Sequence, residues 1–79
     1  MITVYSTTVC NKCKQLKATL ADMGVDYKEV DMSLPEALTE LRINGVFTIS
    51  APVLQVDDEF YTIEDMFNGD TIKNIEVLL

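Results

Sequence analysis

The chain has 79 residues, 48% apolar and 24% charged, with two cysteines and neither histidine nor tryptophan. That length reads as a single domain over residues 1–79 with a thin core, removing about 60% of the unfolded surface from water, and the composition is too apolar for a disordered chain. A net charge of −7 argues against nucleic acid and anionic membranes as partners, and no stretch approaches the roughly 20 apolar residues of a membrane span.

Ile2–Ser6 is a short apolar run and predicts the first strand. Thr7, Thr8 and Val9 then turn the chain into Cys10-Asn11-Lys12-Cys13. A helix is predicted from Asn11 to about Met23. Cys13, Leu16, Leu20 and Met23 recur on its inner face, and Asn11, Lys14, Thr19 and Asp22 lie outside. Gly24 suits the position just past its end. This spacing draws Cys13 inward and leaves Cys10 nearer solvent. Residues 1–21 carry Lys12, Lys14 and Lys17 and no acid, whereas residues 22–79 carry three basic and thirteen acidic side chains. The cysteine pair therefore sits in a basic spot on an acidic protein.

Val25–Met32 predicts a second strand, and its charges, Asp26, Lys28, Glu29 and Asp31, suit a sheet edge. Strand–helix–strand at this spacing implies a parallel pair with a right-handed crossover. Pro35 and Glu36 open a second helix with Leu38 and Leu41 inward, Ile43 joining them, and Gly45 as its stop. Phe47 and Ile49 fall in a connecting loop. Pro52 precedes a strand, Val53–Val56. Asp57-Asp58 makes a turn, and Glu59–Thr62 returns antiparallel. Thr62 and Asp65 form a capping-box pattern for a short helical turn through Phe67, with Met66 and Phe67 in the core. Asn68-Gly69-Asp70 breaks that turn, and Asp70 is placed as the cap of a last helix whose Ile72, Ile75 and Leu79 share a face. Helices on both faces of a small mixed sheet bury every one of these apolar stripes.

A C-x-x-C pair at a strand-to-helix junction puts the first sulfur at the helix N-terminus. Unpaired N–H groups and the positive end of the dipole favour a thiolate there. The leading chemistry is dithiol–disulfide exchange: Cys10 attacks, Cys13 resolves, and Lys12 adds positive charge near the thiolate. Structural zinc needs four ligands, and one chain cannot complete the set with sulfur and nitrogen, so no metal is expected within a monomer. A zinc or iron–sulfur site shared between two chains is the metal rival, and a scaffold module using the cysteines as a redox-sensitive clasp is the non-enzymatic one. The chain does not open with a basic stretch followed by an apolar run, so a cytoplasmic location is expected. In such a reducing compartment a close pair is more often reactive than structural.

The β-α-β-α-β-β-α order, with C-x-x-C after the first strand and a proline before the third, resembles the thioredoxin superfamily. Within it the chain looks like a small glutaredoxin-like protein, nearest in layout to the NrdH-type redoxins. Val4-Tyr5-Ser6, Cys10-Asn11-Lys12-Cys13, Pro35-Glu36-Ala37, Gly45 and Ser50-Ala51-Pro52-Val53 carry the resemblance. It implies a thioredoxin-like (glutaredoxin-type) α/β fold with a four-stranded mixed sheet flanked by helices. It also implies a cis Pro52 beside the cysteine pair, with the Ala51 backbone facing the substrate groove. Tyr61, Glu64 and Asp65 are candidate partner contacts at the end of the last strand. By the same resemblance the protein is a monomeric reductase of protein disulfides with no bound cofactor beyond its Cys10–Cys13 disulfide, and ribonucleotide reductase is a client to consider. Several family marks are absent: Asn11-Lys12 stands where Pro-Tyr is common, and Thr7 and Thr8 lie where glutaredoxins often carry a basic residue. Tyr61-Thr62-Ile63 stands where glutaredoxins carry a Gly-Gly turn, and Phe60-Tyr61-Thr62-Ile63 where NrdH-type redoxins carry a tryptophan. Thioredoxin reductase, the glutathione system and a ferredoxin-linked reductase all stay open as electron donors.

Overall fold

The computed structural model describes residues 1–48 and 50–79, so the loop expectation for Ile49 lies outside the described residues. The chain runs through β1 (Ile2–Ser6), α1 (Asn11–Asp22), β2 (Lys28–Asp31), α2 (Pro35–Ile43), β3 (Val53–Val56), β4 (Glu59–Tyr61) and α3 (Ile63–Met66). Through β4 this is the order expected from the sequence, and α3 is the expected short helical turn. Among the described residues, four strands pair as β2-β1-β3-β4, with β1 parallel to β2 and antiparallel to β3, and β3 antiparallel to β4.

Strand alternation sorts the core into two layers. Val4 pairs with Leu54 and Tyr5 with Val53 across β1 and β3. Val4 and Leu54 face one layer, where Leu16 and Leu20 of α1 meet Met66, Phe67 and Ile75. Tyr5 and Val53 face the other, closed by Met32 and by Ala37 and Leu41 of α2. The Tyr5 hydroxyl donates to Gln55 Oε1 at 3.2 Å, and burial, then the Glu40 charge, pushes its pKa up.

Both long helices end in the same way. After α1, the Gly24 N–H donates to the Ala21 carbonyl and the Val25 N–H to the Leu20 carbonyl, both at 3.0 Å. After α2, Gly45 donates to Arg42 at 3.0 Å and Val46 to Leu41 at 2.8 Å. These paired bonds form Schellman motifs, and the left-handed residue each requires is Gly24 (φ +71°) or Gly45 (φ +82°). The first motif also explains why β2 begins later than the sequence suggests: the Val25 N–H closes α1 instead of joining a ladder.

Two further expectations fail. Ile43 is 75% exposed, and Ala37 and Leu41 hold the inward stripe with Leu38 at its margin. Ile43 follows Leu41 by two positions, about 200° around the helix, and so points away from the sheet. Asp70 does not cap a helix. Phe67 pairs with Ile72 and Asn68 with Thr71, forming a ribbon of β5 (Phe67–Asn68) and β6 (Thr71–Ile72) turned at Gly69 and Asp70. The Lys73 N–H closes this ribbon on the Met66 carbonyl at 2.7 Å. Only a 3₁₀ turn, Ile75–Leu78, follows, capped by Asn74, whose side-chain oxygen accepts the Glu76 N–H at 3.1 Å. Ile75 is buried, and Leu79 is 41% exposed.

Candidate functional site at the start of the first helix

β1 delivers the chain to the top of the sheet, and Thr7–Val9 carry it to Cys10, which occupies the N-cap of α1 with extended backbone (φ −156°, ψ 104°). Its Sγ accepts the Cys13 N–H at 3.0 Å. The sulfur thus fills the place that a serine or aspartate oxygen takes in other helices. Its carbonyl accepts the Lys14 N–H at 3.2 Å and starts the helix. The first turn carries no acidic residue, so nothing there offsets the positive end of the dipole at the sulfur.

One helical turn separates the two cysteines. Their Cα atoms lie 5.2 Å apart and their sulfurs are joined in a disulfide. Cys13 is 1% exposed and continues the inner face through Leu16 and Leu20, while Cys10 is half-buried at the rim. The inward and outward assignment read from helical spacing holds.

A hollow of about 350 Å³ opens at Cys10, lined by Asn11, Lys12, Ser50, Ala51 and Ile63. The Ala51–Pro52 peptide is cis, and Pro52 is buried beneath the rim. A second hollow of about 230 Å³ shares the walls Ser50 and Ile63 and adds Thr48, Thr62 and Glu64. Lys12, Ala51 and Glu64 thus line this region, and Pro52 supports it. Asp65 is engaged elsewhere: its carboxylate accepts the Thr62 N–H at 3.0 Å and the Thr62 hydroxyl at 3.4 Å, holding the start of α3. Tyr61 is half-buried against the core layer beneath α1. Sequence reasoning missed Ser50 and Ile63 as rim residues. Ser50 lies two residues before Pro52, and that adjacency was the available signal. Val9, 93% exposed beside Cys10, adds an apolar edge.

A larger hollow of about 410 Å³ is lined by Ser6, Thr7, Thr8, Lys17, Glu29 and Asp31. Glu29 accepts from Lys17 at 2.9 Å and from the Ser6 hydroxyl at 2.7 Å. The Lys17 bond first, then the Ser6 bond, holds its carboxyl below the usual range. The Ser33 hydroxyl and backbone N–H do the same for Asp31. Among the described residues, no cluster of three or more His, Cys, Asp or Glu side chains is placed to hold a metal ion. None of the described helices is long and apolar enough to cross a membrane.

The family model for glutaredoxin matches residues 2–61. A comparison with curated proteins returns no match. Among solved structures, the crystal structure of the glutaredoxin grx-1 from Archaeoglobus fulgidus is similar, with a TM-score of 0.66 at 19% identity, covering 98% of this chain and 79% of that one. At this identity the likeness speaks for the fold, a thioredoxin-like α/β arrangement with a four-stranded mixed sheet flanked by helices.

Proposed function

The chain belongs to the glutaredoxin family, and from that premise we propose that it is a dithiol–disulfide oxidoreductase that reduces protein disulfides through Cys10 and Cys13. The observation that carries this reading is the asymmetry of the pair: one sulfur at the rim, accepting a helix N-terminal N–H, and the other buried one turn on. The Cys10 thiolate attacks a substrate disulfide, forms a mixed disulfide and releases one substrate thiolate. Cys13 then loses its proton and attacks the Cys10 sulfur. The second substrate thiolate leaves, and the Cys10–Cys13 disulfide holds the two oxidising equivalents until a reductase supplies two electrons. The hollow beside Cys10, with Lys12, Ala51, Ser50 and Ile63 on its walls, accommodates an extended stretch of substrate backbone.

The reading continues to a single-domain, monomeric, cytoplasmic carrier of the NrdH type, fed by thioredoxin reductase, with ribonucleotide reductase as one client. Glutathione is the second reading, favoured by the family itself and by the adjoining hollow at Thr48, Thr62 and Glu64. The test follows NADPH oxidation with a protein disulfide as substrate, in one arm with thioredoxin reductase and in the other with glutathione and its reductase. Turnover confined to the first arm is expected. Turnover confined to the glutathione arm selects the second reading, and silence in both sinks each of these two donors.

A further inference from the structure

Lys12 lies between the two cysteines, yet its ammonium is already engaged. Nζ sits 3.3 Å from Asp70 Oδ1 and 6.0 Å from the centroid of the Phe67 ring. Lys12 is 30% exposed and Asp70 98%. Both partners come from the β5–β6 ribbon. Phe67 is a core residue, packed with Leu16, Leu20 and Ile75, and it fixes the floor under the lysine. Asp70 stands at the turn of the ribbon. Gly69, at φ +64°, supplies the left-handed conformation that lets the ribbon reverse in two residues and bring the carboxylate back over α1. The two partners together set where the ammonium can lie: a cation over a ring face is attracted to its quadrupole, and the carboxylate completes the clamp.

The placement matters because Lys12 lines the hollow at Cys10 and is its one charged wall among the described residues. Other charged residues of this region are exposed Lys14 on α1 and Glu64 in the adjoining hollow. A free ammonium at this point would stabilise a thiolate at Cys10, and a paired one contributes much less. From this arrangement we infer that Asp70 is a positioning residue for the dithiol: by holding Lys12 against Phe67 it limits the positive field that reaches Cys10 and so sets the fraction of Cys10 present as thiolate. The inference rests on Cys10 being the reactive thiol of the proposed reaction.

The experiment measures alkylation of the fully reduced protein by iodoacetamide across pH at low ionic strength. Modification at Cys10 is located by peptide mass, and folding is checked by circular dichroism. Four forms are compared: wild type, Asp70→Asn, Lys12→Gln and the double variant. At pH values below the midpoint of thiolate formation, Asp70→Asn is expected to react about two- to fivefold faster, the range of an exposed ion pair. Above that midpoint the gain vanishes, because Cys10 is then thiolate in both proteins and the more acidic thiol is, if anything, the weaker nucleophile. In the Lys12→Gln background the same substitution changes the rate by less than half as much, and 0.5 M salt abolishes the effect in wild type. Equal rates for wild type and Asp70→Asn overturn the inference. So does an undiminished acceleration in the Lys12→Gln background, which would mean that Asp70 acts by its own charge and not through Lys12. Alkylation needs neither an electron donor nor a disulfide substrate, so silence in both donor assays with this coupling intact would sink those two donors and leave the clamp standing.

Discussion

Cys10 and Cys13 have the same chemistry and different surroundings, and the surroundings decide which sulfur a substrate meets. Cys13, 1% exposed, cannot be reached by a bulky disulfide until Cys10 has already been engaged. On the proposed reaction, Cys10→Ser lowers turnover by about a thousandfold or more, since it removes the attacking atom. Cys13→Ser lets the first exchange proceed and blocks the second, so the substrate stays attached to Cys10. Intact-mass measurement of Cys13→Ser mixed with an oxidised protein substrate is expected to show the summed mass, lost on adding a small dithiol. Free turnover by Cys13→Ser with dithiol-requiring substrates would reverse the roles. A second residue-scale expectation concerns acid. Glu29 is held below its ordinary value of 4.5 by Lys17 and Ser6, so its folded form binds a proton less readily than its unfolded form. The stabilisation is therefore complete above that ordinary value and drains away as pH falls through the lowered one. The pair is partly exposed, 28% for Lys17 and 47% for Glu29, so its worth is under about 1 kcal/mol. Thermal melts of Glu29→Gln should lie slightly below wild type at pH 6 and converge with it near pH 3. A constant offset across that range would show that the carboxylate charge is not what stabilises.

At the scale of elements, the two Schellman stops do the work of aiming the chain. Gly24 turns it from α1 toward the sheet edge, and Gly45 turns it from α2 toward the loop before Pro52. A side chain at Gly24 meets no heavy atom within 4 Å, so Gly24→Ala probes the left-handed backbone alone. The expected loss is about 1 kcal/mol, or roughly 4–8 °C in Tm for a domain of this size, with activity kept. An unchanged Tm would mean that the C-terminal end of α1 relaxes freely. These stops were legible in the sequence, as were α1 with its inward Cys13, β1, and the β3–β4 hairpin, because each rests on local spacing or on one residue with a restricted backbone. The end of the chain was not. Ile72, Ile75 and Leu79 have helical spacing, but Gly69 and the Phe67–Ile72 pairing turn the segment into a ribbon first. The segment after it then makes the 3₁₀ turn Ile75–Leu78, started by the Asn74 side chain, instead of a helix begun at Asp70. The partners of Lys12 were hidden for the same reason: Asp70 lies 58 positions away and comes near only once that ribbon has formed. Ile63 likewise joins the rim through folding, with no mark in its own neighbourhood, whereas Ser50 had only its closeness to Pro52 to point to it.

For the molecule as a whole, the question is how 79 residues hold a reactive rim steady above two thin core layers. At roughly 0.05–0.15 kcal/mol per residue the total stability is about 4–12 kcal/mol. The sheet is one residue thick, so β1 and β3 are shared by both layers, and a loss in one layer reaches the other through the Val4–Leu54 and Tyr5–Val53 pairs. Leu54 is fully buried at the centre of the layer that also holds Leu16, Phe67 and the inner face of α1. Leu54→Ala removes apolar surface and leaves a cavity that the strands on either side cannot close, a cost of about 2–5 kcal/mol. That is a large part of the whole, so chemical denaturation is expected to show a sharply lowered midpoint. Because Phe67 and α1 lie in the same layer, the floor under Lys12 and the N-terminus that caps Cys10 would loosen together. Ile43→Ala supplies the contrast. It is the same kind of truncation on a residue that is 75% exposed, and its cost should stay within about 0.5 kcal/mol. If the two variants unfold at the same denaturant concentration, the layer assignment is wrong, and support for the dithiol must come from somewhere other than the core beneath α1.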